Sequence, residues 1–143
     1  MKLEAKTEIQ ISKPAHEVFE AVIDPGRMSE YFITKGSGRL EEGRVVTWSW
    51  KEYNTELHIE VKRIVENKFI SFQWTATEIK TIVDLNFHSL TDQTSSLHIR
   101  EHGWDKDDEG IANLTKQLQG WVFFAVWLKG YMEYNIDLRT IVL

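Results

Sequence analysis

Glu101 is the residue whose type and position offer the clearest chemistry. It follows Leu97 and Ile99 at alternate positions of a predicted strand, so its carboxylate is expected to point toward the interior. A buried carboxylate without a partner is costly, and such groups act as general acids or bases or as anchors for a ligand. The residue could equally be a structural acid that is held by a base, a tryptophan N–H group or water. The sequence leaves both alternatives open.

Tryptophans are the second group of candidate site residues. Trp48 and Trp50 alternate along one predicted strand, and Trp74 shares the inner face of a later strand with Ile70 and Phe72. Their rings could stack on a planar, apolar ligand, and their indole N–H groups could bind a polar atom of that ligand. The alternative is that they fill a large aromatic core.

The histidines are not predicted to converge. His16 lies on a predicted short helix. The alternation of the strands places the other four on the outer, solvated face of the sheet: His58, His88, His98 and His102. His98 and His102 share a strand but lie about 13 Å apart along it, too far to bind one metal ion. We therefore expect no metal site.

The acidic run from Asp105 to Glu109 resembles a calcium-binding loop only in composition. The twelfth position counted from Asp105 is Lys116, where an EF-hand requires a bidentate glutamate. The run is better explained as a solvated loop with acids near the N-terminus of a helix. The chain contains no nucleotide-binding, nucleophile-elbow or zinc-protease motif, so no cofactor is predicted.

Composition bounds the remaining classes. The chain has 143 residues, no cysteine and a net charge of −5, and its acidic and basic residues are interleaved. Because there is no clustered basic face, nucleic-acid binding is not expected. The strongest apolar run, Trp121 to Leu128, is far too short to span a bilayer, and the N-terminal segment lacks the apolar stretch of a secretory signal. We expect one domain, residues 1–143, in a soluble, cytoplasmic protein.

The elements that would position these residues can be placed in chain order. Leu3 to Ile11 alternates as a half-buried strand. Two pairs of a cap residue and a following proline each predict the start of a short helix, the second ending near Phe32: Ser12 with Pro14, and Asp24 with Pro25. A meander of about six antiparallel strands follows up to His102, and a polar loop, Gly103 to Gly110, leads to the last element.

The last element is predicted to be one long helix over Asn113 to Leu138. One broad apolar face suits packing against a sheet and comprises Leu114, Leu118, Trp121, Phe124, Ala125, Leu128 and Met132. A second aromatic stripe, Phe123, Trp127 and Tyr134, lies on nearly the opposite side. This stripe must contact another part of the chain, a bound ligand or a second subunit, and in the last case it would be a homodimer patch.

The order of elements predicts an α+β fold, in which a curved antiparallel sheet is wrapped around a long C-terminal helix and two short helices follow the first strand. Bulky, stiff aromatic residues between a curved sheet and a helix favour a cavity between them. The inner-face aromatic residues and the inward carboxylate are the candidate ligand-binding residues: Trp48, Trp50, Phe72, Trp74, Phe87, Glu101, Trp121 and Phe124.

The element order, with KPAHEVFEAVIDPGRMSEYF after the first strand, resembles the SRPBCC superfamily and its START-like helix-grip fold. Three segments are closer to one branch, the proteins similar to activators of the heat-shock-protein-90 ATPase: Pro14 to Phe32, TSSLHIREHGW from Thr94, and GWVFFAVWLKGYME from Gly120. The resemblance covers essentially the whole chain. It implies a cavity for lipids, polyketides, flavonoids or hormones, while a minority of members are enzymes.

Three functions follow as hypotheses. The leading hypothesis is a protein that binds a small hydrophobic or aromatic ligand between the sheet and the long helix. The second, implied by the resemblance, is a protein-interaction domain like the chaperone-ATPase activators. The third is an enzyme that uses Glu101 as an acid or base on a ligand in the cavity. No catalytic residue is assigned.

Overall fold

The computed structural model describes residues 2–140, and the strands among them form one seven-stranded sheet. In chain order the elements are β1 (Lys2–Ile11), α1 (Ala15–Ile23), α2 (Pro25–Met28), β2 (Lys35–Gly36), β3 (Val45–Trp50), β4 (Thr55–Val65), β5 (Phe69–Trp74), β6 (Thr81–Ser89), β7 (Ser95–Asp105) and α3 (Asp108–Tyr134). Short 3-10 turns follow β3, at Lys51–Tyr53, and α3, at Leu138–Thr140.

The strand order in the sheet is β1-β7-β6-β5-β4-β3-β2, and every neighbouring pair is antiparallel. Strands β2 to β7 follow each other as a meander, whereas β1 lies at the far edge, beside β7. The helices α1 and α2 therefore connect the two opposite edges of the sheet. This arrangement confirms the predicted helix-grip fold, with a curved sheet, a long C-terminal helix and two short helices after the first strand.

The core lies between the inner face of the sheet and α3, which packs mainly on β1 and β7. Alternate residues of the central strands point into it, as the strand pattern predicts. The buried face of α3 comprises Trp121, Phe124, Ala125, Leu128 and Met132. Leu114 and Leu118, predicted on the same face, are only half-buried. The first half of α3 thus contacts the sheet less closely than the second half does.

Both ends of α3 differ from the prediction. The helix begins at Asp108 rather than near Asn113, because the Asp107 carboxylate accepts a hydrogen bond from the Gly110 backbone N–H at 2.7 Å and caps the first turn. The loop before α3, predicted from Gly103 to Gly110, is therefore shorter than predicted, because β7 ends at Asp105 and α3 begins at Asp108. The helix ends at Tyr134 rather than Leu138, because Asn135 adopts a left-handed conformation with φ of 53°.

The second short helix and the last strand also differ. Helix α2 ends at Met28, and the chain reaches Phe32 through turns rather than as a helix. Strand β7 continues past His102 to Asp105 through an irregularity in its pairing with β1, where Gly103 has a positive φ of 130° that glycine tolerates. The extra residue turns Trp104 inward, where it is almost fully buried and donates its indole N–H to Thr77 Oγ1 at 3.2 Å.

The segment after α3 is attached to the turns that follow α2. Arg139 donates hydrogen bonds to the backbone oxygens of Ser29 and Ile33, each at 2.9 Å, and also to the Asp137 carboxylate at 2.8–2.9 Å. The hydrogen bonds from Arg139 hold the pKa of Asp137 below its usual value, although partial burial opposes this. None of the helices in residues 2–140 has the length and apolar character that crossing a bilayer requires.

Replacing Asp137 with asparagine tests this attachment. Because the folded-state pKa of Asp137 is lowered, its contribution to stability is complete above the unfolded-state pKa near 3.9 and is lost as the pH falls through the lower, folded-state value. We expect the variant to lose about 0.5–1 kcal/mol of unfolding free energy at neutral pH, and to approach the wild type below about pH 4. Urea unfolding over that pH range measures the difference.

Asp92→Asn in the exposed turn between β6 and β7 is the matched control, since it removes the same charge and is expected to change little. A difference between Asp137→Asn and wild type that is the same in acid as at neutral pH would contradict the electrostatic attachment.

Candidate functional site

Glu101 lies on the inner face of β7, and no part of its side chain is exposed to solvent. Four side chains surround its carboxylate. Trp74 Nε1 at 3.0 Å and Thr81 Oγ1 at 2.6 Å donate to Oε2. Trp121 Nε1 at 2.8 Å and Gln117 Nε2 at 3.0 Å donate to Oε1. The structure therefore matches the structural alternative, in which tryptophan N–H groups hold the acid.

The four donors suit a carboxylate. Indole N–H groups and the amide nitrogen of Gln117 can only donate, and a carboxylate can accept about four hydrogen bonds. None of the ion pairs in the part of the chain that the structure describes includes Glu101. No buried side-chain N or O atom within residues 2–140 lacks a partner. The negative group is thus held entirely by neutral donors, as in sites where hydrogen bonds replace a counter-ion.

These donors come from three different elements. Trp74 ends β5, Thr81 begins β6, and Gln117 and Trp121 lie one turn apart on α3. Trp74 and Trp121 also contact each other, with ring centroids 5.6 Å apart. Glu101 therefore fixes the orientation of two indole rings and links three strands to the helix.

An open cleft of about 930 Å³ lies directly beyond this cluster, beside the middle of α3. We call it the aromatic cleft, because seven aromatic residues line it: Phe32, Trp50, Tyr53, Trp74, Trp121, Phe123 and Trp127. Its remaining lining residues are Glu52, Thr55, Leu57, Ala76, Lys116, Gln117, Gln119, Gly120, Asp137, Arg139 and Thr140. Its volume falls within the range that small-molecule sites occupy.

Phe32 organises the inner wall of the aromatic cleft. Its ring centroid lies 5.4 Å from that of Trp50, 4.8 Å from that of Phe124 and 6.5 Å from that of Trp127. On the outer wall, Phe123 and Trp127 stack on each other at 5.7 Å. The rings support each other through edge-to-face, tilted and stacked contacts, so the walls of the aromatic cleft are preformed.

Gly120 leaves part of the aromatic cleft open. A Cβ atom at Gly120 would meet no heavy atom within 4 Å, whereas one at Gly110 would overlap the Asp105 carbonyl group and one at Gly130 would collide with Leu138. Packing against backbone therefore requires glycine at Gly110, and a Cβ atom at Gly130 would force the Leu138 side chain to move, whereas Gly120 is under no such constraint. A glycine inside a helix costs about 0.5–1 kcal/mol relative to alanine. At Gly120 the helix bears this cost, and the missing side chain leaves open the part of the helix surface that borders the aromatic cleft.

Residues 12–133 match the model of a protein family described as activator of Hsp90 ATPase homolog 1-like protein. The chain belongs to this family. A comparison with curated protein sequences found no match.

Solved structures support the fold of this Hsp90 ATPase activator homolog 1-like chain. Protein SSP2350 from Staphylococcus saprophyticus is 28% identical, with a TM-score of 0.83 and 96% of each chain covered. DynU16, a putative protein in the dynemicin biosynthetic locus, is 18% identical with a TM-score of 0.82, covering 94% of this chain and 48% of that one. The Aha1 dimer from Colwellia psychrerythraea is 14% identical with a TM-score of 0.77, covering 92% and 97%. The last two identities are so low that they show the fold alone.

The eight predicted ligand-binding residues divide into two groups in this family member. Trp50, Trp74 and Trp121 line the aromatic cleft. The other five do not line it and lie inside the core or behind the cleft floor: Trp48, Phe72, Phe87, Glu101 and Phe124. The centre of the predicted cavity is thus filled with packed rings, and the open volume lies beside the middle of α3, from Lys116 to Trp127. Ligand contact by any of the eight stays a prediction.

The second aromatic stripe does not act as one unit. Phe123 and Trp127 line the aromatic cleft, whereas Tyr134 lies at the end of α3 with 69% of its surface exposed. Sequence reasoning also missed Phe32, Gln117 and Gly120 as lining residues. In the sequence, Phe32 is marked only as an aromatic residue after the second proline, and Gln117 and Gly120 only as a polar and a glycine position on the predicted helix.

The histidines lie on the outer side of the sheet or outside it, as predicted. His98 pairs with Glu8 at 3.0 Å, and His102 lies 3.2 Å from Asp84, which Arg100 also contacts. No group of three or more metal-ligating side chains occurs within the described residues 2–140. The expectation that the chain needs no metal stays a prediction.

Replacing Glu101 with glutamine tests the donor cluster. The amide nitrogen of glutamine would face donors that have no other acceptor, so we expect a loss of about 2–4 kcal/mol in unfolding free energy. Thr81→Val removes one donor and leaves three in place, and it should cost only about 1–2 kcal/mol. Urea unfolding of both variants measures these values. If Glu101→Gln were within about 0.5 kcal/mol of the wild type, the cluster would not hold this end of the core together.

Proposed function

We propose that this chain binds a small, planar, largely apolar molecule in the aromatic cleft. The observation that carries the proposal is the combination of seven aromatic rings with an open volume of about 930 Å³ beside a mid-helix glycine that packing does not require. Binding sites of this kind are concave and mostly apolar, with a few polar groups that set orientation. Gln117, Gln119 and Thr140 are polar lining groups that could take that role.

The half-exposed rings favour a planar ligand over a flexible chain. Phe32, Trp50 and Trp127 are packed against the core on one side and border the aromatic cleft on the other. A flat molecule can lie against such rings in offset or edge-to-face contacts, and each contact adds to the stabilisation from area burial. A ligand in the aromatic cleft would also cover Phe123, which is 37% exposed in the absence of a ligand.

An acid or base role for Glu101 is less well supported. Its side chain is fully enclosed, and each carboxylate oxygen already accepts two hydrogen bonds. Gln117 lies between the carboxylate and the aromatic cleft. A general acid or base must lie within hydrogen-bonding reach of the reacting group. For Glu101 this would require Gln117 or an indole ring to move first.

The two protein-partner hypotheses stay predictions. A contact with a chaperone ATPase is implied by the family resemblance and has no specific surface to support it. A homodimer through Phe123, Trp127 and Tyr134 would cover part of the aromatic cleft, since two of these three residues line it. Ligand and second subunit would then compete for the same rings.

Two substitutions at Gly120 test the proposed site. Gly120→Ala adds only a methyl group, so binding should persist while the unfolding free energy rises by about 0.5–1 kcal/mol from the higher helix propensity. Gly120→Phe places a ring in the aromatic cleft, and we expect it to weaken binding of a planar probe such as 1-methylnaphthalene by at least about tenfold. Chemical-shift titration of the tryptophan indole N–H signals measures the affinity.

Val122→Phe is the matched control, because it adds the same ring to an exposed position of α3 that does not line the aromatic cleft. It should leave the affinity unchanged. Equal binding by Gly120→Phe and wild type, or no saturable binding of planar aromatic probes by wild type, would overturn the proposal.

A further inference from the structure

The geometry of the Glu101 cluster points to the charge of the ligand: we propose that the aromatic cleft selects a small aromatic cation over a neutral molecule of the same shape. The class comprises protonated or quaternised nitrogen heterocycles and arylalkyl ammonium ions. This inference rests on the proposed function and adds one property to it. The observation behind it is a buried carboxylate without a cationic partner, placed directly behind the floor of an aromatic site.

The first step concerns the charge itself. All four donors to Glu101 are neutral side chains, and none of the ion pairs within residues 2–140 includes it. Hydrogen bonds from neutral groups stabilise a carboxylate but do not cancel its charge. Because the group is enclosed by aromatic side chains rather than water, its field is weakly screened and extends to the next layer of atoms.

The second step concerns position. Trp74, Trp121 and Gln117 each donate to Glu101 and also line the aromatic cleft. A ligand on the floor of the aromatic cleft is therefore separated from the carboxylate by one side-chain layer. The two indole N–H groups point toward the carboxylate, so the floor does not offer them to a hydrogen-bond acceptor on the ligand. Hydrogen bonding to an anion also makes the indole rings richer in electrons, which strengthens their attraction for a cation.

The third step concerns the other charges that face the aromatic cleft: Glu52, Lys116, Asp137 and Arg139. Arg139 is paired with Asp137 at 2.8 Å. Glu52 and Lys116 are both exposed, carry opposite charges and are screened by salt. The charges of these two acids and two bases sum to zero. The net charge at the aromatic cleft is therefore that of the Glu101 carboxylate behind its floor. Aromatic walls above a buried negative group are the arrangement that binds organic cations.

Two probes of nearly the same shape test the inference: 1-methylquinolinium, which is a cation, and 1-methylnaphthalene, which is neutral. We expect isothermal titration calorimetry on the wild-type protein to show about tenfold tighter binding of the cation, as cation–π contacts in a partly desolvated site provide. In Glu101→Gln, this ratio should fall to about one. Glu66→Gln removes a charge from an exposed turn and should leave the ratio unchanged.

A salt series gives a second readout on the wild-type protein, in case Glu101→Gln does not fold. The affinity ratio should persist from about 20 mM to about 500 mM sodium chloride, although the screening length falls from roughly 20 Å to about 4 Å. A preference that came from Glu52 or Asp137 at the surface would disappear over that range, and this result would overturn the assignment to Glu101.

The outcomes separate the inference from the proposed function. If the neutral probe binds at least as tightly as the cation, the inference fails while the proposed function stands. If the cation is preferred and a folded Glu101→Gln variant keeps the same ratio, the inference also fails. If neither probe binds, the proposed function fails and the inference fails with it.

Discussion

The hydrogen bonds that four neutral side chains donate to the Glu101 carboxylate join the sheet to the long helix inside the core. These donors come from β5, β6 and α3, and the acceptor comes from β7, so one group joins three neighbouring strands to the helix. Elsewhere, α3 is held by apolar packing on β1 and β7 and by hydrogen bonds near its C-terminal end, where Lys129 donates to the Gln10 carbonyl and Glu133 accepts from the Ser12 backbone N–H. The contacts in the Glu101 cluster are buried and directional, because each donor must lie near a lone pair of the carboxylate. The orientations of Trp74 and Trp121 follow from that requirement.

The aromatic cleft is bordered by this cluster, by the middle of α3 and by the segment that follows α3. Gly120 contributes no side chain to that space. On another face of the same helix, Phe124 and Leu128 are buried in the core. The helix therefore packs on the sheet with one face and forms a wall of an open site with another.

The fold could be predicted from the sequence because it depends on local periodicity. Strand alternation placed Thr81 and Glu101 on the inner face, and the helical repeat identified Trp121, Phe124 and Leu128 as the packed face of α3. The site could be predicted only in part. Strand parity indicates that Glu101 points inward, but only the folded chain brings it within 3.0 Å of a glutamine 16 positions later. The empty space beside Gly120 and the wall formed by the Arg139 segment likewise arise from contacts between elements that are distant in sequence, for which a single sequence gives no pattern.

The presence of a charged group in this core is itself informative. Buried charges contribute little to stability compared with well-packed apolar residues of similar size, so a carboxylate is not needed to fill the space. Substituting Glu101 alone by an apolar residue would leave two indole N–H groups and an amide without an acceptor, which is costly. Glu101 therefore cannot become apolar unless its donors change with it. A core built for stability alone would place leucine or phenylalanine at these positions. The arrangement instead gives two indole rings of fixed orientation and a local negative charge beneath an open aromatic site, both of which would act on a ligand.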